Sequence, residues 1–298
     1  MLQDHDAYRQ LTPHVQDGGD ILDRPGLDKA LRGVEAVYHL AAKVSDWGPL
    51  DGFIRLNLQG TYNVLRSAEQ AGCRQFVHMS SLAIHGWRDH VDADENEPKD
   101  VPANYPYGLT KRLAEDMALR EGRAGRISVT VIRPGFFPFG PRDRTSFFPL
   151  AEHLAKGQFA FVDGGRKLTC VSYVESLAQG MALTCLNPAS YGEIFILADD
   201  PKITWKDVMT RICSGLGVAV PRISVPFAAI YPLVWVMDKA SLLLGKKEPP
   251  TLTRYRLRIN HNDFHFVSHK AKKILGYDPK ISMEDGIERT VRWYHGVR

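Results

Sequence analysis

Tyr107-Gly108-Leu109-Thr110-Lys111 is the stretch from which the rest of this 298-residue chain can be interpreted. On a helix, residues four apart share one face, so this spacing directs a phenol and an ammonium into the same space. A neighbouring ammonium stabilises phenolate, which predicts a tyrosine pKa below its ordinary value of about 10. Such a tyrosine can take a proton from a hydroxyl or give one to a carbonyl oxygen. The spacing alone does not identify a site, because Tyr and Lys often decorate a helix surface.

Short apolar runs and helical patterns alternate on both sides of this stretch. The predicted strands are Ala36 to Leu40, Phe76 to Met79 and Ser128 to Ile132, and the predicted helices are Gly52 to Ala71 and Tyr105 to Arg120. Strands separated by helices indicate a doubly wound parallel sheet. Ligands of such sheets bind outside the carboxyl ends of the strands. Ala42, Ser81 and Pro134 each follow a strand, so we expect them to border one crevice.

Six motifs in chain order resemble the extended short-chain dehydrogenase/reductase superfamily. They are Gly19-Asp20-Ile21-Leu22-Asp23, Val37-Tyr38-His39-Leu40-Ala41-Ala42, Asn57 to Leu65, Phe76-Val77-His78-Met79-Ser80-Ser81, Pro106 to Lys111, and the pair Ile132 to Gly135 with Phe139 to Asp143. One such motif is weak, whereas six in the right order are specific. His39 to Gly48 and Phe136 to Pro141 look most like the 3β-hydroxysteroid dehydrogenase and sterol-4-carboxylate dehydrogenase branch.

The resemblance implies a catalytic group made of Ser81, Tyr107, Lys111 and Asn57. Ser81 would bond the substrate oxygen beside Tyr107, although a serine at a strand end also commonly satisfies backbone groups. Lys111 would hold the hydroxyls of the nicotinamide ribose, and Asn57 would support a water relay behind it. A buried amide such as that of Asn57 needs partners in any case.

The same resemblance implies a nicotinamide cofactor, NAD or NADP. The residues expected to contact it, besides Tyr107 and Lys111, are Asp20, Ile21, Leu40, Ala41, Ala42, Pro134, Gly135 and Phe136. Asp20 and Ile21 resemble the acidic turn that reads the adenine, and Pro134 to Phe136 resemble the segment that covers the nicotinamide.

Relatives open with a strand, a glycine-rich turn and a helix that hold the pyrophosphate, and Asp20 comes too early in this sequence for that unit. We expect about forty residues to be absent, since a strand–helix–strand unit needs ~30 or more. A misplaced start site is the favoured explanation; a fragment or a different mode of cofactor binding are the alternatives. The printed chain is accordingly expected to bind NAD poorly, and the residue choosing between NAD and NADP cannot be read.

The fold expected is therefore α/β, a Rossmann-type doubly wound sheet lacking its first β-α-β unit, with a small C-terminal α/β substrate lobe. Residues 1–140 would form the cofactor-binding core, and 141–298 a substrate lobe interleaved with it. In relatives, the helices following Asn57 and containing Tyr107 form a four-helix contact, so a homodimer is expected.

Apolar residues near the expected pocket favour a hydrophobic, steroid-like or sterol-like substrate. They are Phe136, Phe137, Phe147, Phe148 and the stretch Phe227 to Leu244. Ile223 to Gly245 is too short and too broken by prolines and charges to span a bilayer. It reads either as a buried helix or as an apolar lid or interfacial helix, with peripheral membrane contact through 223–247 and Lys246-Lys247 at the headgroups.

Three rival functions stay open. Nucleotide-sugar epimerases and dehydratases share the core, and Arg142 and Arg144 would serve their pyrophosphate. A long-chain β-keto acid reductase shares the apolar pocket. A non-catalytic cofactor-binding protein would explain the missing glycine-rich turn, but not the presence of Ser81, Tyr107 and Lys111.

Composition sets further limits. A net charge of +4 and the lack of a basic stripe argue against nucleic acid. Four cysteines without CxxC spacing favour a reduced, cytoplasmic compartment.

His261, His265 and His269 are four apart, but intervening residues break the helical pattern, so no metal site is predicted. Arg254, Arg256 and Arg258 alternate as on a strand with one solvated face.

Overall fold

The computed structural model describes residues 18–244, 250 and 252–297. In chain order, the first half contains α1 (Arg24–Ala30), β1 (Ala36–His39), the long helix α2 formed by Leu50–Phe53, Ile54–Gly60 and Thr61–Gln70, β2 (Gln75–Met79), β3 (His90–Ala93), α3 (Pro106–Arg123), β4 (Ser128–Pro134) and β5 (Phe137–Phe139). The second half contains α4 (Phe147–Ala155), β6 (Phe161–Val162), β7 (Leu168–Tyr173), α5 (Val174–Ala182), β8 (Ile194–Leu197), β9 (Asp199–Thr204), α6 (Trp205–Leu216), β10 (Ser224–Val225), α7 (Phe227–Leu243), α8 (Arg254–His261), β11 (Phe264–Phe266), α9 (His269–Leu275) and α10 (Met283–Gly296).

The main sheet has the order β1-β2-β4-β8, and all its neighbours pair in parallel. Val77 is in register with Tyr38 on one side and Thr130 on the other. On one face, Phe76 and Val129 pack with Leu65 of α2 and Ala118 of α3. On the other face, Val77 and Ile132 pack with residues of α5 and α9. Helices cover both faces, which confirms the predicted doubly wound α/β class and explains why the strands read as continuous apolar runs.

The second layer of the protein is a three-stranded sheet in the order β5-β7-β9. Strand β5 pairs with β7 in parallel, and β9 pairs with β7 in an antiparallel direction. Residues of α4, α6 and α10 form one hydrophobic core with this sheet. The chain crosses back twice, because β8 joins the main sheet and β11 pairs with β3. Strands of the main sheet and of the second layer thus alternate along this part of the chain, while the division into two interleaved domains at residue 140 stays a prediction.

The alternating arginines do not lie on a strand, so that interpretation of the sequence was wrong. They lie on α8, whose first turn is capped by Thr253, with Oγ1 accepting from the backbone N–H of Arg256 at 3.2 Å. Arg254 pairs with Asp238, and the side chain of Arg256 pairs with Asp46 at 2.8 Å. A side-chain cap at the first turn favours the helix over an extended strand.

Phe147 was expected to line the substrate pocket and instead is fully buried at the start of α4. It packs in the hydrophobic core of the second layer, where Phe139 and Tyr173 also lie. Phe136, Phe137 and Phe148 remain partly buried at the margin of that core. An aromatic ring at the first turn of a helix faces inward when the core below offers apolar contact on that side.

The uncharged stretch that begins at Ile223 forms β10 and then α7, which contains Pro232. A buried helix was one interpretation, and it holds for one side only: Val234 is buried, whereas Leu233 and Val236 are more than half exposed. Across the described ranges, no helix is long and apolar enough to cross a membrane. Lys246 and Lys247 lie outside the described residues.

Gly108 allows α3 to lie close to the segment after β2. A Cβ atom at this position would stand 2.7 Å from the carbonyl oxygen of Ala83 and 2.7 Å from the ring of Tyr105. We predict that Gly108→Ala lowers the free energy of unfolding by about 1–3 kcal/mol through overpacking. Urea denaturation followed by circular dichroism measures this change.

The matched control is Gly296→Ala on α10, because a Cβ at Gly296 meets no atom within 4 Å. That substitution should be neutral or should stabilise the helix by up to about 1 kcal/mol. Equal unfolding free energies for the two variants would contradict the close approach at Gly108.

Candidate functional site

Ser81 and Tyr107 meet where β2 ends and α3 begins. Ser81 directly follows the strand and caps a short 3₁₀ turn, with its Oγ accepting from the backbone N–H of Ala83 at 3.2 Å. Tyr107 lies in the first turn of α3, and the Ser81 side chain is near enough to its hydroxyl to influence the pKa of Tyr107. The interpretation of Ser81 as a strand-end serine that satisfies a backbone group is therefore confirmed, whereas its bond to a substrate oxygen stays a prediction.

The pKa of Tyr107 is raised from its ordinary value, because burial disfavours the phenolate and the bond with Ser81 only partly opposes this effect. We expected Lys111 to lower this pKa, and that expectation is wrong for this structure. The Lys111 ammonium donates instead to the carbonyl oxygen of Met79, at the end of β2. The lysine thus lies under the strand end, where a backbone acceptor holds it.

Lys111 is an unusual lysine, since its side chain is almost completely buried. Burial lowers its pKa to about 8, and the nearby Glu115 carboxylate opposes that shift. An ammonium has three N–H donors, and Met79 is the one acceptor that we find for it among the described residues. The remaining donors suit the hydroxyls of a ribose, so the residue fits the cofactor role that the sequence suggested.

Asn57 lies in the π-helical segment of α2, and its amide is completely engaged. Its Oδ1 accepts from the backbone N–H of Lys43 at 2.7 Å, and its Nδ2 donates to the Lys43 carbonyl at 3.2 Å and to Thr110 Oγ1 at 3.1 Å. The amide therefore joins the loop after β1 to the helix that carries Tyr107 and Lys111. Its part in a water relay stays a prediction.

The residues predicted near the adenine and under the cofactor lie beside β1 and α2. Asp20 is exposed, and its Oδ1 accepts from the backbone N–H of Leu22 at 2.9 Å. The carbonyl of Ile21 accepts from Asn63 Nδ2 at 3.1 Å, and the Ile21 side chain covers Gly60. In the loop after β1, Leu40 and Ala41 are exposed and Ala42 is half-buried, so their surfaces can receive a ligand.

Pro134, Gly135 and Phe136 close the carboxyl end of β4. The Gly135 N–H donates to the Leu197 carbonyl at 2.9 Å and to Ser172 Oγ at 2.7 Å. A Cβ on Gly135 would stand 2.6 Å from the carbonyl oxygen of Val171, which explains the glycine by close strand packing. Phe136 packs on the ring of Phe264 at 4.6 Å. Their contact with the nicotinamide stays a prediction.

Two residues of this region escaped the sequence interpretation. Glu115 and Arg133 form a buried ion pair of 2.6 Å, and Glu115 also bonds Ser80, the residue before Ser81. The spacing of four residues between Lys111 and Glu115 was the available signal, because it puts both on one helical face.

The three histidines do not come together on one helix. His261 ends α8 and pairs with Asp163 at 2.6 Å, whereas His265 lies in β11 and pairs with Asp92 at 3.0 Å. His269 begins α9. Within 18–244 and 252–297, no group of metal-ligating side chains could hold a metal ion.

The lowered pKa of Lys111 makes protein stability depend on pH. Its folded-state pKa of about 8 lies below the unfolded value near 10.5, so protonation favours the unfolded state. The penalty is complete below about pH 8 and disappears as the pH rises toward 10.5. We predict that Lys111→Met raises the free energy of unfolding at pH 7 by up to about 3 kcal/mol, and by much less at pH 10.5.

Urea denaturation at the two pH values measures this difference. The control is Lys29→Met, because Lys29 is exposed on α1. A gain for Lys111→Met that is the same at both pH values would show that the ammonium is not destabilised by burial.

Comparison with known proteins places this geometry in a family. Residues 4–198 match the sequence profile described as the NAD dependent epimerase/dehydratase family. The 3beta-hydroxysteroid-dehydrogenase/decarboxylase isoform 1 of Arabidopsis thaliana is 30% identical over 91% of this chain, and the chain spans 65% of that protein's length. The N-acetyl-alpha-D-glucosaminyl-diphospho-ditrans,octacis-undecaprenol 4-epimerase of Escherichia coli O157:H7 is 28% identical, with 94% of this chain and 84% of that protein covered.

Among solved structures, the dTDP-glucose 4,6-dehydratase DesIV of Streptomyces venezuelae, as a double mutant with NAD bound, shares the fold. The TM-score is 0.72 at 24% identity, and the alignment covers 93% of this chain and 78% of that one. The described topology agrees with the profile, which matches most of the sequence. The position of Ser81 and Tyr107 beside buried Lys111 agrees with both. The chain belongs to the NAD dependent epimerase/dehydratase family.

Proposed function

We propose that this protein is an NAD(P)-dependent dehydrogenase that oxidises a secondary alcohol of a hydrophobic, steroid-like or sterol-like substrate to a ketone. The observation that carries the proposal is the placement of Ser81 and Tyr107 beside the buried Lys111, at the carboxyl edge of a parallel sheet. Two proton-exchanging hydroxyls next to a buried ammonium are what alcohol–ketone interconversion requires.

Each side chain has one task in this chemistry. Ser81 holds the substrate oxygen, and Tyr107 removes the hydroxyl proton as general base. A bound nicotinamide would supply the acceptor for the hydride that leaves the substrate carbon. Lys111 holds the ribose hydroxyls, and Asn57 keeps the loop after β1 against α3. The raised pKa of Tyr107 means that the phenol is protonated at neutral pH, so oxidation should accelerate as the pH rises.

The preference for a hydrophobic substrate rests on Phe136, Phe137 and Phe148, which are partly buried at the margin of the second layer. Each Å² of apolar surface buried contributes about 25 cal/mol, so a sterol-sized body gains several kcal/mol of binding even after association costs. The hydroxysteroid dehydrogenase among the similar proteins points in the same direction.

A nucleotide-sugar epimerase or dehydratase is the second candidate. Arg142 and Arg144 are exposed near the start of the second layer, and neither forms an ion pair among the residues described. Both are therefore available for a pyrophosphate, and the epimerase of Escherichia coli among the similar proteins agrees with this role.

The substrate test uses protein expressed with any residues that the gene encodes before Met1. We predict that 3β-hydroxysteroids reduce NAD or NADP, measured by absorbance at 340 nm, and that UDP-sugars are not converted. Tyr107→Phe keeps the ring and removes the ionisable oxygen, so turnover should fall by roughly 10²–10⁴. The matched control is Tyr191→Phe, because Tyr191 is a half-buried tyrosine in a turn, outside α3 and outside the proposed dimer contact.

If UDP-hexoses are converted and steroid alcohols are not oxidised, the epimerase function replaces this proposal. Full activity of Tyr107→Phe would refute the site itself.

We further propose a homodimer formed through α2 and α3. Leu50, Ile54 and Tyr62 are apolar residues of α2 that remain exposed, as an isologous contact would require. Sedimentation at micromolar concentration should show a dimer, and Ile54→Glu/Tyr62→Glu should shift it to monomer. A monomer before substitution would contradict the proposal.

We also propose that α7 contacts a membrane surface. Its exposed apolar side chains are Leu233, Trp235, Val236 and Met237. In flotation with phosphatidylserine-containing vesicles, Leu233→Glu/Val236→Glu should reduce the bound fraction. The control Val91→Glu/Ile274→Glu makes the same charge change at two other exposed apolar positions. Equal loss in both variants would argue against a specific role of α7.

A further inference from the structure

The buried Glu115 carboxylate joins three segments that build the candidate site, namely its own helix α3 and the ends of β2 and β4. It lies on α3, one helical turn after Lys111, and its side chain is inaccessible to solvent. Its Oε2 accepts from Ser80 Oγ at 2.6 Å, and Ser80 is the residue between Met79 and Ser81. The carboxylate thus bonds the end of β2. There the Met79 carbonyl accepts from the Lys111 ammonium, and Ser81 lies beside Tyr107.

The second connection runs to β4. Arg133 donates to both carboxylate oxygens, with Nη2 at 2.6 Å from Oε1 and Nε at 3.1 Å from Oε2. Arg133 immediately precedes Pro134 and Gly135, which are the residues predicted beside the nicotinamide. Because a bidentate pair fixes orientation as well as distance, the end of β4 is held in one position relative to α3.

The ion pair is itself supported from outside. Arg133 Nη1 donates to the Glu95 carbonyl at 3.1 Å and to His85 Nε2, and His85 Nδ1 donates to the Pro98 carbonyl at 3.0 Å. Lys99 reaches Glu115 Oε1 at 3.2 Å. A buried charge with this many partners stays ionised, and although burial alone raises the pKa of Glu115, Arg133 and its other partners hold it below the ordinary value.

The titratable neighbours of Lys111 come from several elements. Glu115 lies on the same helix, and Tyr107 lies one turn before it. His39 of β1 and His78 of β2 face it from the sheet, and burial lowers the pKa of both imidazoles so that they are neutral at working pH. Glu115 is thus the carboxylate that favours the charged form of Lys111.

We propose that Glu115 is a positioning residue, whose carboxylate fixes the ends of β2 and β4 against the catalytic helix through Ser80 and Arg133. The proposal rests on the function proposed above, in which Ser81, Tyr107 and Lys111 perform the reaction. Glu115 contacts neither substrate nor cofactor in this role. It acts through the placement of Ser81 and the charge of Lys111.

Ser80→Ala tests the placement without breaking the ion pair. We expect kcat for 3β-hydroxysteroid oxidation to fall roughly 10–100-fold with KM little changed, since a small misplacement near the chemistry has effects of this order. The matched control is Ser67→Ala, because Ser67 is equally buried and donates to a carboxylate, Asp28, at 2.5 Å but lies away from the site. Equal kcat values for the two variants would overturn the proposal.

Glu115→Gln tests the charge by a measurement that needs neither substrate nor cofactor. In protein labelled with [13Cε]lysine, the signal lost in Lys111→Arg identifies Lys111, and its titration midpoint should move to lower pH in Glu115→Gln. If Glu115→Gln does not fold, Glu115→Gln/Arg133→Met removes both buried charges and serves instead. An unchanged midpoint in a folded variant refutes the proposal.

The two measurements separate this proposal from the proposed function. If no alcohol is oxidised by the unsubstituted protein, the dehydrogenase assignment fails, and the Lys111 midpoint still decides whether Glu115 governs that charge. If alcohols are oxidised and Ser80→Ala behaves as Ser67→Ala does, the dehydrogenase assignment stands and the positioning role fails.

Discussion

Parallel hydrogen bonding among β1, β2 and β4 fixes where every residue of the candidate site lies. Parallel strands end at the same edge, so the residues after His39, Met79 and Pro134 are brought together although they are far apart in the chain. Strands β2 and β4 are buried on both faces, and their apolar side chains are fixed by the helices that cover them. The candidate site is therefore a consequence of how the sheet is paired.

Buried polar groups then give that edge a single arrangement. Asn57 joins the loop after β1 to α3, the Lys111 ammonium joins α3 to the end of β2, and Arg133 joins β4 to Glu115. Each of these groups carries a desolvation penalty that only a fixed partner offsets. Because each buried group needs its partner, the arrangement is rigid. The Met79 carbonyl likewise holds Lys111 at the site although burial lowers the pKa of its ammonium.

The second layer is coupled to the main sheet by crossings of the chain. Strand β11 pairs with β3, and Asp46 in the loop after β1 binds Thr253 Oγ1 at 2.7 Å as well as Arg256. The loop expected to contact the cofactor is thus tied to a helix of the proposed substrate lobe.

Local patterns along the chain were enough to predict the alternation of strands and helices, the family, and the candidates Ser81, Tyr107, Lys111 and Asn57. These follow from periodicity and from short motifs, which depend on residues close in the chain. Contacts between distant segments were needed to show that Lys111 bonds Met79 rather than lowering the Tyr107 pKa, that Phe147 is a core residue, and that the alternating arginines lie on a helix. They also revealed the Glu115–Arg133 pair. Partners distant in sequence choose the direction of a side chain and set its burial, and neither quantity is contained in the spacing of residues along the chain.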